Sequence, residues 1–319
     1  MAEIMADFLV ETAKGYYCSY GDFYIDPLMP VDTALISHAH GDHARPGHRR
    51  ILATNTTTIF MQHRFAKQDL KSYKVISYNE SFFLADVKIT FFPAGHILGS
   101  AQILMEYKET RYLYTGDYKL QDDATCEPLV FVKADVLITE TTFANPNIVH
   151  PDQVEEISKL TATNHNMMLG CYSLGKAQRL TYLLNVYCPE KVIYVHHNIA
   201  PIHRIYDTYG FVPLKYEIYN RKVMKDGINK IYLVPPLTFN SYFRAKNVIR
   251  VFASGWKRLQ HNNDLSLYIS DHVDWKDLLQ CIEASNPREI WTVHGDGAML
   301  KSYFEGKIVV RNMAKITAF

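Results

Sequence analysis

The chain has 319 residues, 48% of them apolar, and a formal net charge of +1. It is long enough for one large domain or two ordinary ones and too apolar for global disorder. It is also too nearly neutral to be drawn to nucleic acid by gross charge, so an acidic substrate must be met by local basic patches or by bound metal.

The opening run MAEIMADFLVETAKGYYC carries early acidic residues and no long apolar segment, so no signal peptide is expected there. No stretch approaches the ~18 continuous apolar residues of a membrane span, and no membrane partner is expected. Cys18, Cys126, Cys171, Cys188 and Cys281 are scattered and never in C-x-x-C spacing. They read as free buried thiols in a reducing cytoplasm, with no part in metal binding.

Short β-rich runs dominate the first 140 residues: GDFYID, TALIS, VKITFFPA, AQILMEY and RYLYTGD, then ADVLITE at 134–140. Several end on a polar residue: Asp26, Ser37 before His38, Gly95 before His96, Asp117 and Glu140. Chemistry just past strand ends is what a rigid sheet with functional loops provides. The character then changes. Residues 151–165 have helical spacing with an acidic first turn, and 173–187 read as a helix with Ser173 as N-cap. KVIYVHH reads as a strand and IAPIHRIYDTYG as a helix, so about 145–250 alternates as in an α/β layer. LSLYIS, WKDLLQCIEAS and EIWTVHG return to short strands around one helix. The expected organisation is one domain at 1–143 and 255–319, interrupted by an inserted domain at 144–254.

The run HAHGDH places His38, His40, Asp42 and His43 as H-x-H-x-D-H after a strand. In an extended segment alternate residues share a face, so His38 and His40 can reach one ion while Asp42 and His43 reach a second. Imidazole and carboxylate without thiolate suit Zn²⁺ or Mn²⁺ rather than a structural zinc knuckle. His96, Asp117 and His294, each at a strand end, complete the set. The expectation is His38, His40 and His96 on one ion, Asp42, His43 and His294 on the other, and Asp117 bridging. Two such divalent ions can hold a hydroxide between them and clamp both oxygens of an in-line displacement.

These motifs, in order, resemble the metallo-β-lactamase fold, an αββα sandwich, over nearly the whole chain. Asp26 in FYIDP is similar to that family's buried aspartate behind the ligands. The fold hosts many hydrolases, so it does not choose an activity alone. Glu140 in ITETTF, GCYSLGKAQRL and His272 in YISDHVDW resemble the marks of the β-CASP nucleases, which include ribonuclease J and the cleavage and polyadenylation endonuclease. That resemblance implies an inserted α/β β-CASP-like cap and catalytic roles for His272, Glu140 and Asp42, with Glu140 supporting His272 as general acid. GDFYIDPLMPVD, PAGHILGSAQI, YSLGKAQR and SDHVDW resemble the bacterial DNA-ligase-associated exonucleases. The implied function is a two-metal DNA exonuclease of repair or end processing, linked to an ATP-dependent DNA ligase and a helicase. RNA processing of the ribonuclease J type is the alternative, and a thioesterase or lactonase the lesser one.

Ser173 and Lys176, at the start of a predicted helix, are candidates for holding phosphate. Arg45, Arg49, Arg50, Lys257 and Arg258 can be phosphate contacts or ordinary solvated surface; Trp256 and Trp275 can be stacking or core residues. His48 turns away past Pro46-Gly47 and is not expected to ligate. His63, His150, His165, His203 and His261 match no motif, and neither His196 nor His197 is expected to be catalytic.

Overall fold

In the computed structural model, residues 3–220, 222, 227–242, 247–261 and 263–313 are described. The chain divides into two compact units. The first comprises 1–122, 127–149 and 272–319; the second comprises 123–126 and 150–271.

The first unit begins with β1 (Val10–Thr12), β2 (Gly15–Cys18), β3 (Phe23–Ile25), β4 (Thr33–Leu35), β5 (Arg50–Ala53) and β6 (Tyr73–Val75), which pair in chain order as a six-stranded sheet. Helix α1 (Asn55–Arg64) lies between the last two strands in sequence. A second sheet is built from β7 (Ser81–Leu84), β8 (Val87–Pro93), β9 (Ala101–Tyr107), β10 (Thr110–Tyr114) and β11 (Val136–Glu140).

The strands of the second sheet alternate in where their side chains go. Ile103 and Met105, Tyr112 and Tyr114, and Val136 and Ile138 enter a core shared with Ile25, Leu35 and Leu52 of the first sheet. The intervening Leu104, Leu113 and Leu137 enter a different cluster on the outer face. Period-two alternation with both faces apolar is the signature of a sheet covered on each side.

The second unit is a parallel α/β layer. Its elements are α2 (Gln153–Ser158), β12 (Met167–Gly170), α3 (Lys176–Tyr187), β13 (Val192–Val195), α4 (Ala200–Tyr209), β14 (Glu217–Ile218), β15 (Lys230–Val234), α5 (Pro236–Ser241), β16 (Ile249–Ala253) and β17 (Leu265–Leu267). The strand order is β14-β13-β15-β12-β16-β17, parallel throughout. Because β17 pairs with β16, this unit runs to Asp271, beyond the boundary expected at 254. The helix expected over 151–165 is shorter: α2 ends at Ser158 and a 3₁₀ turn, Lys159–Ala162, follows.

The chain then returns to the first unit with α6 (Trp275–Ser285), β18 (Glu289–Val293), α7 (Ala298–Tyr303) and β19 (Val309–Asn312). The second sheet thereby becomes seven-stranded, in the order β19-β18-β11-β10-β9-β8-β7. Leu278 and Ile282 of α6 and Leu300 of α7 cover its outer face, while Met61 of α1 packs on the outer face of the first sheet with Ile51 and Ala53. Helix, sheet, sheet and helix are thus stacked as an αββα sandwich.

Candidate metal centre

Strand polarity gathers the site. Strands β10, β11 and β18 are adjacent and parallel, so their carboxyl ends lie side by side, and Asp117, Glu140 and His294 sit at those ends. Strand β8 is antiparallel to β9, which is antiparallel to β10, so the loop carrying His96 opens at the same end. From the facing sheet, β4 delivers His38 and its neighbours, and the Ala101 N–H donates to the Ser37 carbonyl at 2.8 Å. Two glycines permit the close approach. Gly95 has φ +72°, and a Cβ there would stand 2.5 Å from the Lys119 carbonyl oxygen. Gly116 has φ +56°, and a Cβ there would stand 3.0 Å from Ser37 Oγ.

Three overlapping groups result, and Asp117 belongs to each. His38, His40, His96 and Asp117 form one; His43, Asp117 and His294 a second; Asp117, Glu140 and His272 a third. His40 Nδ1 lies 3.2 Å from His38 Nε2 and 3.0 Å from His96 Nε2. Asp117 Oδ2 is 3.7 Å from His38 Nε2, 3.4 Å from His43 Nε2, 3.9 Å from His96 Nε2 and 4.0 Å from His272 Nδ1. The five imidazoles of the first two groups, converging on the Asp117 carboxylate, fit divalent metal. So does His43 Nε2, which is buried and makes no hydrogen bond among the described residues.

The charges are set by this crowding. Burial, with His43 and His96 beside it, holds the His38 imidazole well below its ordinary value. Burial opposes charge on His43 as well, but the carboxylates of Asp117 and Asp26 prevail and hold it well above. Burial likewise opposes charge on Asp117, yet His43, His272 and His38 keep its carboxyl well below the usual range.

Behind the cluster, Asp26 organises two of the histidines. It accepts from the Ser37 N–H at 2.7 Å, Ser37 Oγ at 2.6 Å, Tyr114 Oη at 3.1 Å and His43 Nδ1 at 2.8 Å. The last contact turns Nε2 of His43 toward the cluster. Ser37 Oγ is also 3.1 Å from His38 Nδ1. Asp26 and His294 both adopt left-handed backbone, with φ 44° and 53°. For a residue other than glycine this is uncommon, and it clusters at functional sites.

Asp42 stands apart. Its side chain is 72% exposed, its Oδ2 is 3.9 Å from His43 Nε2, and it joins none of the three groups. Glu140 is buried and accepts from Thr142 Oγ1 at 2.6 Å and the Tyr118 N–H at 3.1 Å; its two oxygens lie 3.0 and 2.8 Å from His272 Nδ1. The supporting positions Tyr114 and Thr142 are not singled out by sequence, although each stands within three residues of a singled-out neighbour, and Ser37 is marked there only as a polar strand end.

Ser173 is not the cap of α3, because that helix starts at Lys176 and Gly175 caps it. The Ser173 carbonyl instead accepts from Gln178 Nε2 at 3.0 Å. Lys176 is buried rather than presented at the helix start; its Nζ donates to the Ile269 carbonyl at 2.7 Å and pairs with Asp271 Oδ2 at 2.9 Å. Arg49 pairs with Asp32, Arg50 donates to Thr33 Oγ1 at 3.0 Å, and the Arg258 guanidinium covers the Trp256 ring at 4.8 Å. Trp275 packs edge-on against Tyr303 with ring centroids 5.4 Å apart. His48 is buried, outside all three groups, with Nδ1 accepting from the Val31 N–H at 3.2 Å.

Residues 22–197 match the model of the beta-lactamase superfamily domain, and the chain belongs to that superfamily, with the metallo-β-lactamase fold and β-CASP nucleases among its homologues. Similar curated proteins carry nuclease and ligase names. A probable DNA ligase of Opitutus terrae is 29% identical over 90% of this chain and 29% of its own length. Endoribonuclease ysh-1 of Neurospora crassa is 27% identical over 64% of this chain and 28% of its own. An RNase J-like protein of Methanocaldococcus jannaschii is 30% identical over 49% of this chain and 44% of its own. The chain therefore spans less than half the length of each of these relatives. A crystal structure of a protein of unknown function from Enterococcus faecalis shares the fold, with TM-score 0.59 and 14% identity over 87% of this chain and 78% of that one. Among the described residues no helix is long and apolar enough to cross a membrane.

Proposed function

We propose that the chain is a metal-dependent phosphodiesterase, a nuclease with DNA as its preferred substrate. The observation that carries this reading is the His272–Glu140 pair set against Asp117, the residue common to all three histidine-bearing groups. A metal centre needs only the histidines and Asp117; a buried carboxylate dedicated to a partly exposed imidazole supplies acid–base capacity in addition.

His38, His40, His96 and Asp117 would hold one divalent ion, and His43, Asp117 and His294 the other, with Zn²⁺ and Mn²⁺ both suited to the donors. When bound, such ions supply a nucleophile at neutral pH and offset charge on the phosphoryl oxygens. The protein's own groups do the rest. Asp26 fixes the His43 ring and so aims Nε2. Glu140 engages Nδ1 of His272 and leaves Nε2 to give a proton to the departing oxygen. Asp42, exposed beside His43, would be available to exchange a proton next to that group.

The ligase-named relative, aligned over 90% of this chain, supports DNA and a functional link to a DNA ligase; the endoribonuclease and RNase J-like relatives support RNA as the second reading. Five free, buried cysteines support a reducing compartment such as the cytoplasm. The test is parallel digestion of 5′- and 3′-labelled DNA and RNA of one sequence, single-stranded and duplex, with Zn²⁺ and with Mn²⁺. Metal-dependent release of nucleotides from DNA ahead of RNA is expected. The reverse preference establishes the RNA reading. Inertness toward every polynucleotide with rapid thioester turnover removes the nuclease.

A further inference from the structure

A cavity of about 300 Å³ in the first unit reaches the His43–Asp117–His294 group from the side of the β1–β2 hairpin. Its walls include Glu11, Asp26 and Asp42 together with His43 and His294, and no lysine or arginine is among its described lining residues. Leu28, Asp42 and His294 are exposed, so the cavity opens to solvent there. At its inner wall stands His43, 1% exposed, whose Nε2 has no hydrogen-bond partner among the described residues.

Charge and size together define the occupant. Three carboxylates, against no lysine or arginine among the described lining residues, disfavour a phosphate group and concentrate cations. A divalent ion with six waters, at ~30 Å³ per water, occupies ~180 Å³, which the cavity accommodates. Two of the carboxylates have other work or another position. Asp26 is committed to Ser37, Tyr114 and His43, and Asp42 stands beside His43 itself. Glu11, on β1, belongs to none of the three histidine-bearing groups.

We propose that this cavity is the path by which a hydrated divalent cation reaches His43, Asp117 and His294, and that Glu11 steers it inward. The proposal rests on the metal-dependent reading above and concerns the rate of loading, separately from the chemistry. Loading from this side leaves the path clear of a polyanionic substrate, because its carboxylates disfavour phosphate.

Co²⁺ is the probe, since its visible absorbance reports binding without any turnover. The metal-free chain is mixed with Co²⁺ in a stopped-flow instrument, comparing wild type, Glu11→Gln, Leu28→Lys at the exposed mouth, and Glu80→Gln, an exposed carboxylate outside the cavity lining. Glu11→Gln is expected to slow uptake about three- to tenfold, and the difference is expected to shrink in high salt. Leu28→Lys is expected to slow it at least as much, Glu80→Gln not at all, and final absorbance is expected to be the same throughout. Equal rates for wild type and both cavity variants, at full occupancy, overturn the path and leave the metal-dependent reading intact. A wild-type chain that takes up no Co²⁺ overturns both.

Discussion

His272 Nδ1 lies 2.8 Å from Glu140 Oε2 and 3.0 Å from Oε1, joining a side chain 26% exposed to one that is 1% exposed. The partners are 132 positions apart in sequence. A buried carboxylate that also accepts from Thr142 and from the Tyr118 N–H cannot swing away, so it fixes the ring it holds. Glu140→Gln keeps the shape and removes the charge. Single-turnover rates on labelled DNA are expected to fall about 10²–10⁴-fold, the range of one general-acid contribution, with little change in the binding constant. An unchanged rate would remove Glu140 from the mechanism.

Asp117 offers the second prediction, because all three groups share it. Asp117→Ala should cost both metal and hydrolysis, and His40→Ala should abolish hydrolysis through the His38–His40–His96 group alone. Metal content, measured by atomic emission after dialysis, is expected to drop by at least one equivalent in Asp117→Ala. The fold is expected to persist, since Asp117 belongs to neither of the apolar clusters that flank the second sheet. A metal-free Asp117→Ala protein with full activity would falsify the proposed mechanism.

The strand ends that carry this site are legible because β8, β10 and β11 are largely apolar runs with His96, Asp117 and Glu140 at or within three residues of their ends. H-x-H-x-D-H, His96, Asp117 and His294 were legible for the same reason, as chemistry placed just past a strand. Helix α1 was not foreseen. Its buried face includes Thr56, Thr57 and Thr58 beside Phe60 and Met61, so its helical period is written partly in β-branched polar residues. The burial of Lys176 is hidden for a different reason. A lysine at the start of a helix looks solvated until its partner is known, and Asp271 lies 95 residues away in sequence. Asp42 reads as a ligand by spacing alone, yet the tight turn in which the His43 and Ala44 N–H groups donate to the His40 carbonyl leaves it exposed.

A pH dependence follows from His203, buried in the second unit between Gln178 Nε2, 3.0 Å from its Nδ1, and Thr181 Oγ1, 2.8 Å from its Nε2. Burial pushes its imidazole down to about 4 from the ordinary 6.5. The folded state therefore holds fewer protons than the unfolded chain between those values, and stability falls as pH drops from 6.5 toward 4. The loss is on the order of 3 kcal/mol once both are passed. His48, in the first unit, is also lowered to about 4 by burial and contributes in the same direction. Urea unfolding at pH 7.0 and pH 4.5 measures this, and His203→Gln is expected to flatten the slope. An identical pH dependence in that variant would assign the acid sensitivity elsewhere.

The last prediction concerns Asp271, whose buried carboxylate faces two buried cations. Its Oδ2 is 2.9 Å from Lys176 Nζ and its Oδ1 is 3.1 Å from an Arg179 Nη1 that also donates to the Ser270 carbonyl at 2.6 Å. Arg179 is 1% exposed, and its Nε and Nη2 bond to Gln153 Oε1 at 3.1 and 2.8 Å. Forming such a network adds little net stability, because desolvation offsets the attraction, but removing one member leaves the others buried and uncompensated. Asp271→Ala is therefore expected to cost about 3–5 kcal/mol, read from the urea midpoint at neutral pH. The triple change Asp271→Leu, Lys176→Met and Arg179→Met, which removes the charges together, is expected to recover much of that loss. A single variant as stable as wild type would mean that water reaches these cations in solution. A triple variant no better than the single would mean that their hydrogen bonds to the Ile269 and Ser270 carbonyls, rather than their charges, hold this part of the second unit together.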